Sequence, residues 1–346
     1  MKNFGFVFPG QGSQKLGMLS NLAASYSIIE QTFAEASEVL NLNLWEVCQR
    51  DGSNSLGQTH ITQPALLAAS VAIWRLWELL EAPRPNILAG HSLGEYSALV
   101  CADVLSFADA IRIVHHRGQY MQSAVPAGTG KMAAIVGLEK HQIHEICNEA
   151  RQKQVVSSAN FNSLSQTVIA GNAEAVERAM MLCKEAGAKR VLPLNVSVPS
   201  HCALMRPAGE QLAKELDSVE FASAKIPIVH NYSAKICDHA ETIKVNLVRQ
   251  LYSPVLWVDS VQLIYNTGVS KLVEIGPGKV LSGLIKRIEP DIACFGSDEP
   301  SSLESAIAEM INFPFMILNL FIRFPTDFGF SRLFLSELYL LLIFLD

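Results

Sequence analysis

Residues 86–100 read NILAGHSLGEYSALV, and this stretch decides the fold class. The apolar run at 86–89 predicts a short buried strand, and the apolar positions after Gly94 predict a helix. Between them lies a G-x-S-x-G sequence with glycine on both sides of Ser92. Glycine at both flanks allows a sharp strand-to-helix turn that presents a serine hydroxyl at the start of the helix. The stretch therefore predicts an α/β protein with Ser92 as a candidate nucleophile.

The sequence on either side of this turn continues the alternation of strands and helices. Residues 4–8 predict a strand that enters a glycine-rich turn, and residues 64–81 and 106–124 predict long amphipathic helices. Strands that alternate with helices are typical of a parallel sheet covered on both faces. We therefore expect a large α/β-hydrolase-like domain built around a parallel sheet.

From residue 131 the order of predicted elements changes to β-α-β-β-α-β. This order is typical of a ferredoxin-like unit. We expect a small ferredoxin-like subdomain at 125–197, inserted into a large catalytic domain formed by 1–124 and 198–310. An apolar tail at 311–346 follows. Proline and charged residues interrupt every apolar window in the tail, so it does not predict a membrane span.

The amino-acid composition argues against several classes of function. The 346 residues carry a net charge of −6 without basic clusters, which argues against a nucleic-acid partner. The seven cysteines are widely spaced, with no zinc-type grouping and no C-x-x-C pair, so we expect no metal site. Because this cysteine pattern fits a reducing compartment and the first residues show no secretory signal, we expect a cytoplasmic protein.

A serine hydroxyl needs a neighbouring base to become a nucleophile. Of nine histidines, His201 is the candidate base, because it follows a predicted strand in a loop stiffened by Pro199. His91 adjoins Ser92 and is expected to be a structural or substrate-contacting neighbour. Backbone N–H groups of Gln11 and of Leu93 could hold the oxyanion of a tetrahedral intermediate, although an ordinary glycine turn explains the region around Gln11 equally well.

Arg117 indicates the substrate class. It lies on the apolar stripe of the helix predicted at 106–124, where a buried guanidinium needs a negative partner. A bidentate clamp for a substrate carboxylate would satisfy it. A carboxylate of the protein itself could also pair with Arg117. Alternatively, the guanidinium of Arg117 could reach water at the end of its side chain.

Together these segments resemble the malonyl-CoA:acyl carrier protein transacylases of fatty acid synthesis. The matching motifs run in family order over residues 1 to about 310 and are Phe8-Pro9-Gly10-Gln11-Gly12-Ser13-Gln14, Gly90-His91-Ser92-Leu93-Gly94-Glu95-Tyr96, Arg117, Asn160-Phe161-Asn162-Ser163, Pro199-Ser200-His201, Gln250 and Ile275-Gly276-Pro277-Gly278.

The resemblance implies a set of roles. It makes Ser92 the nucleophile and His201 its base, with the backbone carbonyl of Gln250 orienting the imidazole. It makes Arg117 the clamp for the malonyl carboxylate, and the amides of Gln11 and Leu93 the oxyanion hole. The remaining substrate-binding candidates are His91, Asn160 and Asn162.

The resemblance also implies the reaction and its participants. Malonyl-CoA is the donor, and the phosphopantetheine thiol of acyl carrier protein is the acceptor. No cofactor is needed. The tail at 311–346 has no counterpart in the family, so we expect it to be dispensable. For the acidic carrier protein we expect a local basic patch, either Lys286 with Arg287 or Lys189 with Arg190, and we expect a monomer.

Three alternatives remain open from the sequence. A serine hydrolase of the α/β-hydrolase type shares the turn around Ser92, but its histidine usually lies late in the domain. More than a hundred residues follow His201 here. The second alternative, a polyketide-pathway acyltransferase that uses malonyl or methylmalonyl groups, lies within the same family. The third alternative is a catalytically idle scaffold.

Overall fold

The computed structural model describes residues 3–52, 55–196 and 198–311. The expectation of a dispensable tail falls, apart from residue 311, on residues outside these ranges. No helix within the described ranges combines the length and apolar character needed to cross a bilayer.

Nine strands lie in the described part of the chain: β1 (Phe4–Phe8), β2 (Ile87–Gly90), β3 (Gly130–Val136), β4 (Val156–Ser163), β5 (Gln166–Asn172), β6 (Arg190–Pro193), β7 (Ile228–Val229), β8 (Lys271–Glu274) and β9 (Ala293–Gly296). Its helices are α1 (Ser20–Ser25), α2 (Ile28–Leu40), α3 (Leu44–Gln49), α4 (Thr59–Leu79), α5 (Gly94–Cys101), α6 (Phe107–Ser123), α7 (Lys140–Arg151), α8 (Ala173–Glu185), α9 (Arg206–Asp217), α10 (Ala240–Tyr252), α11 (Trp257–Asn266), α12 (Val280–Ile288) and α13 (Pro300–Ile311).

The larger sheet has five strands in the order β7-β2-β1-β8-β9, and every pair in it is parallel. This confirms the predicted α/β fold with a parallel sheet. The central strands β1 and β2 are buried along their whole length, as expected for strands covered on both faces. Phe8 pairs with Gly90, so the segments that follow β1 and β2 leave the sheet at the same edge.

The long helix α4 packs against this sheet and is buried on nearly all sides. Trp77 lies edge-on to Phe6 of β1, with ring centroids 4.9 Å apart. Such aromatic contacts add to the free energy gained by burying the rings. They hold β1, and with it the turn that follows β1, at a fixed position.

The smaller sheet has four antiparallel strands in the order β4-β5-β3-β6, and α7 and α8 pack against it around a separate apolar core. The chain order β-α-β-β-α-β is the predicted one. The hairpin turn was predicted around 162–163, two residues too early, because β4 continues to Ser163 and pairs there with Gln166. The turn itself lies at Leu164 and Ser165.

The two sheets are connected by backbone hydrogen bonds to an extended segment after α10. Phe161 N–H donates to the Val255 carbonyl oxygen at 3.0 Å, and Val255 N–H donates to the Ala159 carbonyl oxygen at 2.9 Å. Val255 in turn packs in one apolar cluster with Val7 and Ala89 of the large sheet, so the middle of β4 lies close to that sheet. These contacts explain how residues of the small unit come close to Ser92.

The sequence did not predict α10 and placed the start of the next helix too early. Buried α10 positions include Ile243, Leu247 and Leu251, but the polar Asn246 and Gln250 share that face and blur the apolar period. The helix expected from 254 begins only at Trp257, because the residue before a proline favours extended backbone and Ser253 adopts it.

Candidate active site

Ser92 lies on a strained turn between β2 and α5. Its φ of 52° is in the left-handed region, which costs free energy for a residue other than glycine. A Cβ at Gly90 would lie 1.9 Å from the Gly94 carbonyl carbon, and one at Gly94 would lie 2.0 Å from the Phe8 carbonyl oxygen. Both glycines of the G-x-S-x-G sequence are therefore required by close backbone approach.

His201 lies next to the serine hydroxyl, and its tautomer follows from its partners. Ser92 Oγ is 2.8 Å from His201 Nε2, and His201 Nδ1 is 2.7 Å from the Gln250 carbonyl oxygen. A carbonyl oxygen only accepts, so Nδ1 carries the proton and donates it. Nε2 is then free to accept the hydrogen of the Ser92 hydroxyl. This is the geometry of a serine activated by a general base.

The histidine is held in its neutral form. Burial lowers the pKa of His201, and the nearby positive charge of Arg117 lowers it further, to about 3 against an ordinary value of 6.5. The hydrogen bond from Nδ1 to the Gln250 carbonyl acts in the opposite direction but is outweighed. At neutral pH the imidazole can therefore take up a proton from Ser92.

Arg117 faces the same hydroxyl from α6. It is 1% exposed, as its place on the apolar stripe predicted. Its Nη2 lies 3.3 Å from Ser92 Oγ, and its Nη1 donates to Gln63 Oε1 at 2.7 Å. Among the described residues, Arg117 forms no ion pair and its Nε has no hydrogen-bond partner. An unpaired buried charge costs several kcal/mol, so the guanidinium has capacity for an anionic ligand.

The segments after β1 and β2 each carry a backbone amide at the edge of the sheet where Ser92 lies. Phe8 pairs with Gly90. Gln11 lies three residues after Phe8, and Leu93 lies three residues after Gly90. Neither the Gln11 N–H nor the Leu93 N–H donates a hydrogen bond within the described residues. Free amide donors at a strand-to-helix turn are suited to an oxyanion.

The chain matches the acyl transferase domain model over residues 5–289. Malonyl CoA-acyl carrier protein transacylase from Salmonella typhimurium is 54% identical over 309 residues, which cover 89% of this chain and 100% of the relative. The enzyme of that name from Escherichia coli K12 is 54% identical over 307 residues, 89% of this chain and 99% of the relative. The chain belongs to the malonyl CoA-acyl carrier protein transacylase family.

Solved structures agree with this assignment. An acyl carrier protein S-malonyltransferase from Vibrio cholerae matches with a TM-score of 0.86 and 56% identity, covering 88% of this chain and 99% of the other. A malonyl-transacylase in complex with its type II polyketide synthase acyl-carrier protein matches with a TM-score of 0.88 and 54% identity, covering 89% and 100%. The chain is therefore an acyltransferase, and the resemblance inferred from its motifs is confirmed.

In this acyltransferase the small sheet contributes a partner for His91. Asn162 Oδ1 lies 2.8 Å from His91 Nε2, and the imidazole packs edge-on to Trp257 with centroids 5.5 Å apart. Burial lowers the pKa of His91, so a neutral ring donates from Nε2 to the amide oxygen. Asn160 is buried nearby on β4, and within the described residues its side chain forms no hydrogen bond.

The sequence did not identify the buried polar network behind Ser92 of this transacylase. Asn231 Oδ1 accepts from Ser92 N–H at 2.6 Å, and Asn231 Nδ2 donates to the Gly90 carbonyl oxygen at 2.5 Å. Glu95 Oε2 accepts from Asn231 N–H at 3.0 Å. One asparagine thus bonds the backbone on both sides of His91 and fixes the turn. The sequence did contain one signal of this network. Glu95 is an acid on the otherwise largely apolar helix that follows Ser92, in residues 86–100.

No group of three or more metal-ligating side chains occurs in the described part of the chain. All seven cysteines are free.

Proposed function

We propose that this chain transfers a malonyl group from malonyl-CoA to the phosphopantetheine thiol of acyl carrier protein through an ester on Ser92. The observation that carries the proposal is the convergence of two side chains on the oxygen of a third. His201 Nε2 lies 2.8 Å and Arg117 Nη2 lies 3.3 Å from Ser92 Oγ. A candidate general base and a guanidinium without a counter-ion thus both contact a single serine hydroxyl.

In the first half-reaction, the malonyl carboxylate binds to Arg117 and the thioester carbonyl lies against Ser92. His201 Nε2 takes the hydroxyl proton as Ser92 Oγ attacks the carbonyl carbon. The N–H groups of Gln11 and Leu93 stabilise the oxyanion of the tetrahedral intermediate. The carbon–sulfur bond then breaks, and the leaving thiol of coenzyme A receives the proton from His201.

The second half-reaction runs through the same groups in reverse. The phosphopantetheine thiol gives its proton to His201 and attacks the ester carbonyl. A second tetrahedral intermediate forms, and its collapse breaks the bond to Ser92 Oγ. The serine oxygen regains the proton from His201, and malonyl-acyl carrier protein is released. Every proton and leaving group is accounted for without a cofactor.

The histidine is oriented by a carbonyl where hydrolases of the α/β-hydrolase type use an acid. His201 Nδ1 donates to the Gln250 carbonyl oxygen, and within the described residues no carboxylate contacts its ring. A neutral acceptor fixes the tautomer without adding negative charge. Because burial and the positive charge of Arg117 both lower the pKa of His201, this arrangement favours neutral imidazole.

Four basic residues from both structural units form one surface, which we call the basic patch: Lys189, Arg190, Lys286 and Arg287. Arg190 pairs with Val136, and Val136 pairs with Gln166. Gln166 Oε1 accepts from Arg287 Nη1 at 3.3 Å. The two pairs suggested by the sequence therefore lie at the same end of the small sheet.

The basic patch is exposed and, within the described residues, forms no ion pair. We propose that acyl carrier protein docks there, because an acidic partner is steered by uncompensated positive charge.

We further propose that the domains divide at 1–124 with 198–310 and at 125–197. The large unit fits the α/β-hydrolase-like description through its parallel sheet and serine turn. The small unit fits a ferredoxin-like subdomain, because its strands lie in the order second, third, first, fourth. A monomer in the cytoplasm remains our expectation.

The proposal is tested by incubating the enzyme with malonyl-CoA and holo-acyl carrier protein and measuring malonyl-acyl carrier protein and free malonate separately. We expect carrier protein to receive nearly all of the malonyl group. Release of malonate without transfer would show a hydrolase instead. Parallel reactions with methylmalonyl-CoA determine which of the two acyl groups the pocket prefers.

A further inference from the structure

The side-chain amide of Gln250 lies between the buried guanidinium of the site and a buried acid. Its Oε1 accepts a hydrogen bond from Arg117 Nη2 at 2.9 Å, and its Nε2 donates to Glu95 Oε2 at 2.8 Å. The same Nε2 donates to the Ser92 carbonyl oxygen at 3.0 Å. The Gln250 residue is fully buried, so the loss of these bonds would not be replaced by water.

Only one orientation of this amide satisfies its neighbours. A guanidinium has only donors, and an ionised carboxylate has only acceptors. Turning the amide over would direct Nε2 at Arg117 and Oε1 at Glu95, and both hydrogen bonds would be lost. Glu95 therefore determines which end of the Gln250 amide Arg117 meets.

Glu95 does not neutralise Arg117, because its charge is matched by His230. Glu95 Oε1 lies 2.7 Å from His230 Nδ1, and both side chains are fully buried. His230 Nε2 faces the Cys237 carbonyl oxygen at 3.0 Å, so both ring nitrogens face acceptors. Burial lowers the pKa of His230, but the hydrogen bond and charge of Glu95 outweigh this and raise it. An imidazole that donates from both ring nitrogens is a cation, so His230 balances the charge of Glu95, and Arg117 has no counter-ion among the described residues.

We propose that Gln250 is a positioning residue whose side-chain amide, oriented by Glu95, holds Arg117 beside Ser92 and separates the guanidinium from the Glu95 carboxylate. This inference rests on the proposed function, since it explains how a buried cation stays available for a substrate carboxylate. Without the amide, Arg117 turns toward Glu95 and away from Ser92. The consequence is a loss of preference for acyl groups that carry a carboxylate.

The role of the side chain is separable from that of the main chain at the same position. The carbonyl that accepts from His201 is present whatever residue stands at 250. Methionine has a similar length and no amide, so Gln250→Met removes the amide's contacts to Arg117, Glu95, Asn231 and the Ser92 carbonyl and leaves the main-chain carbonyl in place. The matched control is Gln119→Met, which changes an exposed glutamine on the helix that carries Arg117.

The quantity measured is kcat/KM for malonyl-CoA divided by kcat/KM for acetyl-CoA, with acyl carrier protein as acceptor. We expect Gln250→Met to lower this ratio on the order of tenfold or more, the effect of losing one hydrogen bond to a charged group. We expect Gln119→Met to leave the ratio at the wild-type value. Circular dichroism establishes that each variant is folded before kinetics are measured.

Glu95→Gln provides a second test that leaves Gln250 in place. A neutral amide at 95 orients Gln250 less strongly than a carboxylate, so we expect the ratio to fall by about threefold or more. A ratio within about twofold of wild type, in whichever of the two variants folds, would overturn the positioning role. A wild-type enzyme without any preference for malonyl-CoA would instead overturn the proposed function, so the two failures are distinguishable.

Discussion

Ser92 and His201 both hold left-handed backbone conformations, with φ of 52° and 62°, while their side chains meet at 2.8 Å. Neither is glycine, so each conformation costs about 1–3 kcal/mol that surrounding contacts must offset. For Ser92 those contacts are the hydrogen bond from its N–H to Asn231 and the close packing of Gly94 on β1. For His201 they are the bonds of its N–H to Leu251 and of its ring to Gln250. The fold thus holds strain at the two residues whose side chains share the 2.8 Å hydrogen bond.

Gly94→Ala tests how tightly the turn packs on β1. The new Cβ would lie 2.0 Å from the Phe8 carbonyl oxygen, and the backbone at the end of β1 would have to move. We expect a loss of about 2 kcal/mol or more in the free energy of unfolding, measured by urea denaturation.

Gly283→Ala is the control for this substitution. It lies exposed on α12 with open space around it, so alanine is expected to stabilise the protein by about 0.5–1 kcal/mol. Equal effects of the two substitutions would contradict the packing argument.

The pH dependence of kcat/KM tests the state of His201. The base must be neutral to accept a proton, and burial followed by the charge of Arg117 lowers its pKa to about 3. The neutral form therefore persists as the pH falls through 6.5, the ordinary histidine value. We expect kcat/KM for malonyl-CoA to stay level down to about pH 5. Loss of half the activity near pH 6.5 would show that the base titrates as an ordinary histidine.

Arg117→Met tests the carboxylate clamp, since methionine retains an unbranched chain without charge. We expect kcat/KM for malonyl-CoA to fall by about a hundredfold and that for acetyl-CoA to fall much less, because only malonyl carries the group that Arg117 binds. Arg112→Met, on the exposed side of the same helix, is the control. A parallel decline with both substrates would assign Arg117 a role unrelated to the acyl carboxylate.

Charge reversal of all four residues of the basic patch to glutamate tests carrier-protein docking. We expect the KM for acyl carrier protein to rise about tenfold at low salt, and the difference from wild type to shrink at high salt. Reversal of Lys153 and Lys184, exposed basic residues elsewhere on the small unit, serves as the control. Unchanged transfer at low salt would place the docking surface elsewhere.

The sequence predicted those site residues whose signal lies within a short stretch of the chain. The turn around Ser92 is visible because two glycines flank it between a strand and a helix. Arg117 is visible because a charged residue interrupts an apolar stripe of regular period. Both signals are contained within a single element and its immediate neighbours.

The network behind Ser92 could not be predicted in the same way. Asn231 is 139 residues from Ser92 along the chain, and Gln250 is 155 residues from Glu95. Such pairs meet only because the parallel sheet brings β2 beside β7 and the chain returns through α10. The polar residues on the buried face of α10 also interrupt its apolar pattern, so the sequence did not predict this helix. It therefore could not predict which residues contact the side chain of Gln250.

The most direct test of the account is the intact mass of the protein after brief exposure to malonyl-CoA without an acceptor. We expect one malonyl adduct, mapped to Ser92 by proteolysis, that disappears when holo-acyl carrier protein is added. We expect Ser92→Ala to acquire no adduct. An adduct on another residue, or one of undiminished yield in Ser92→Ala, would contradict the account.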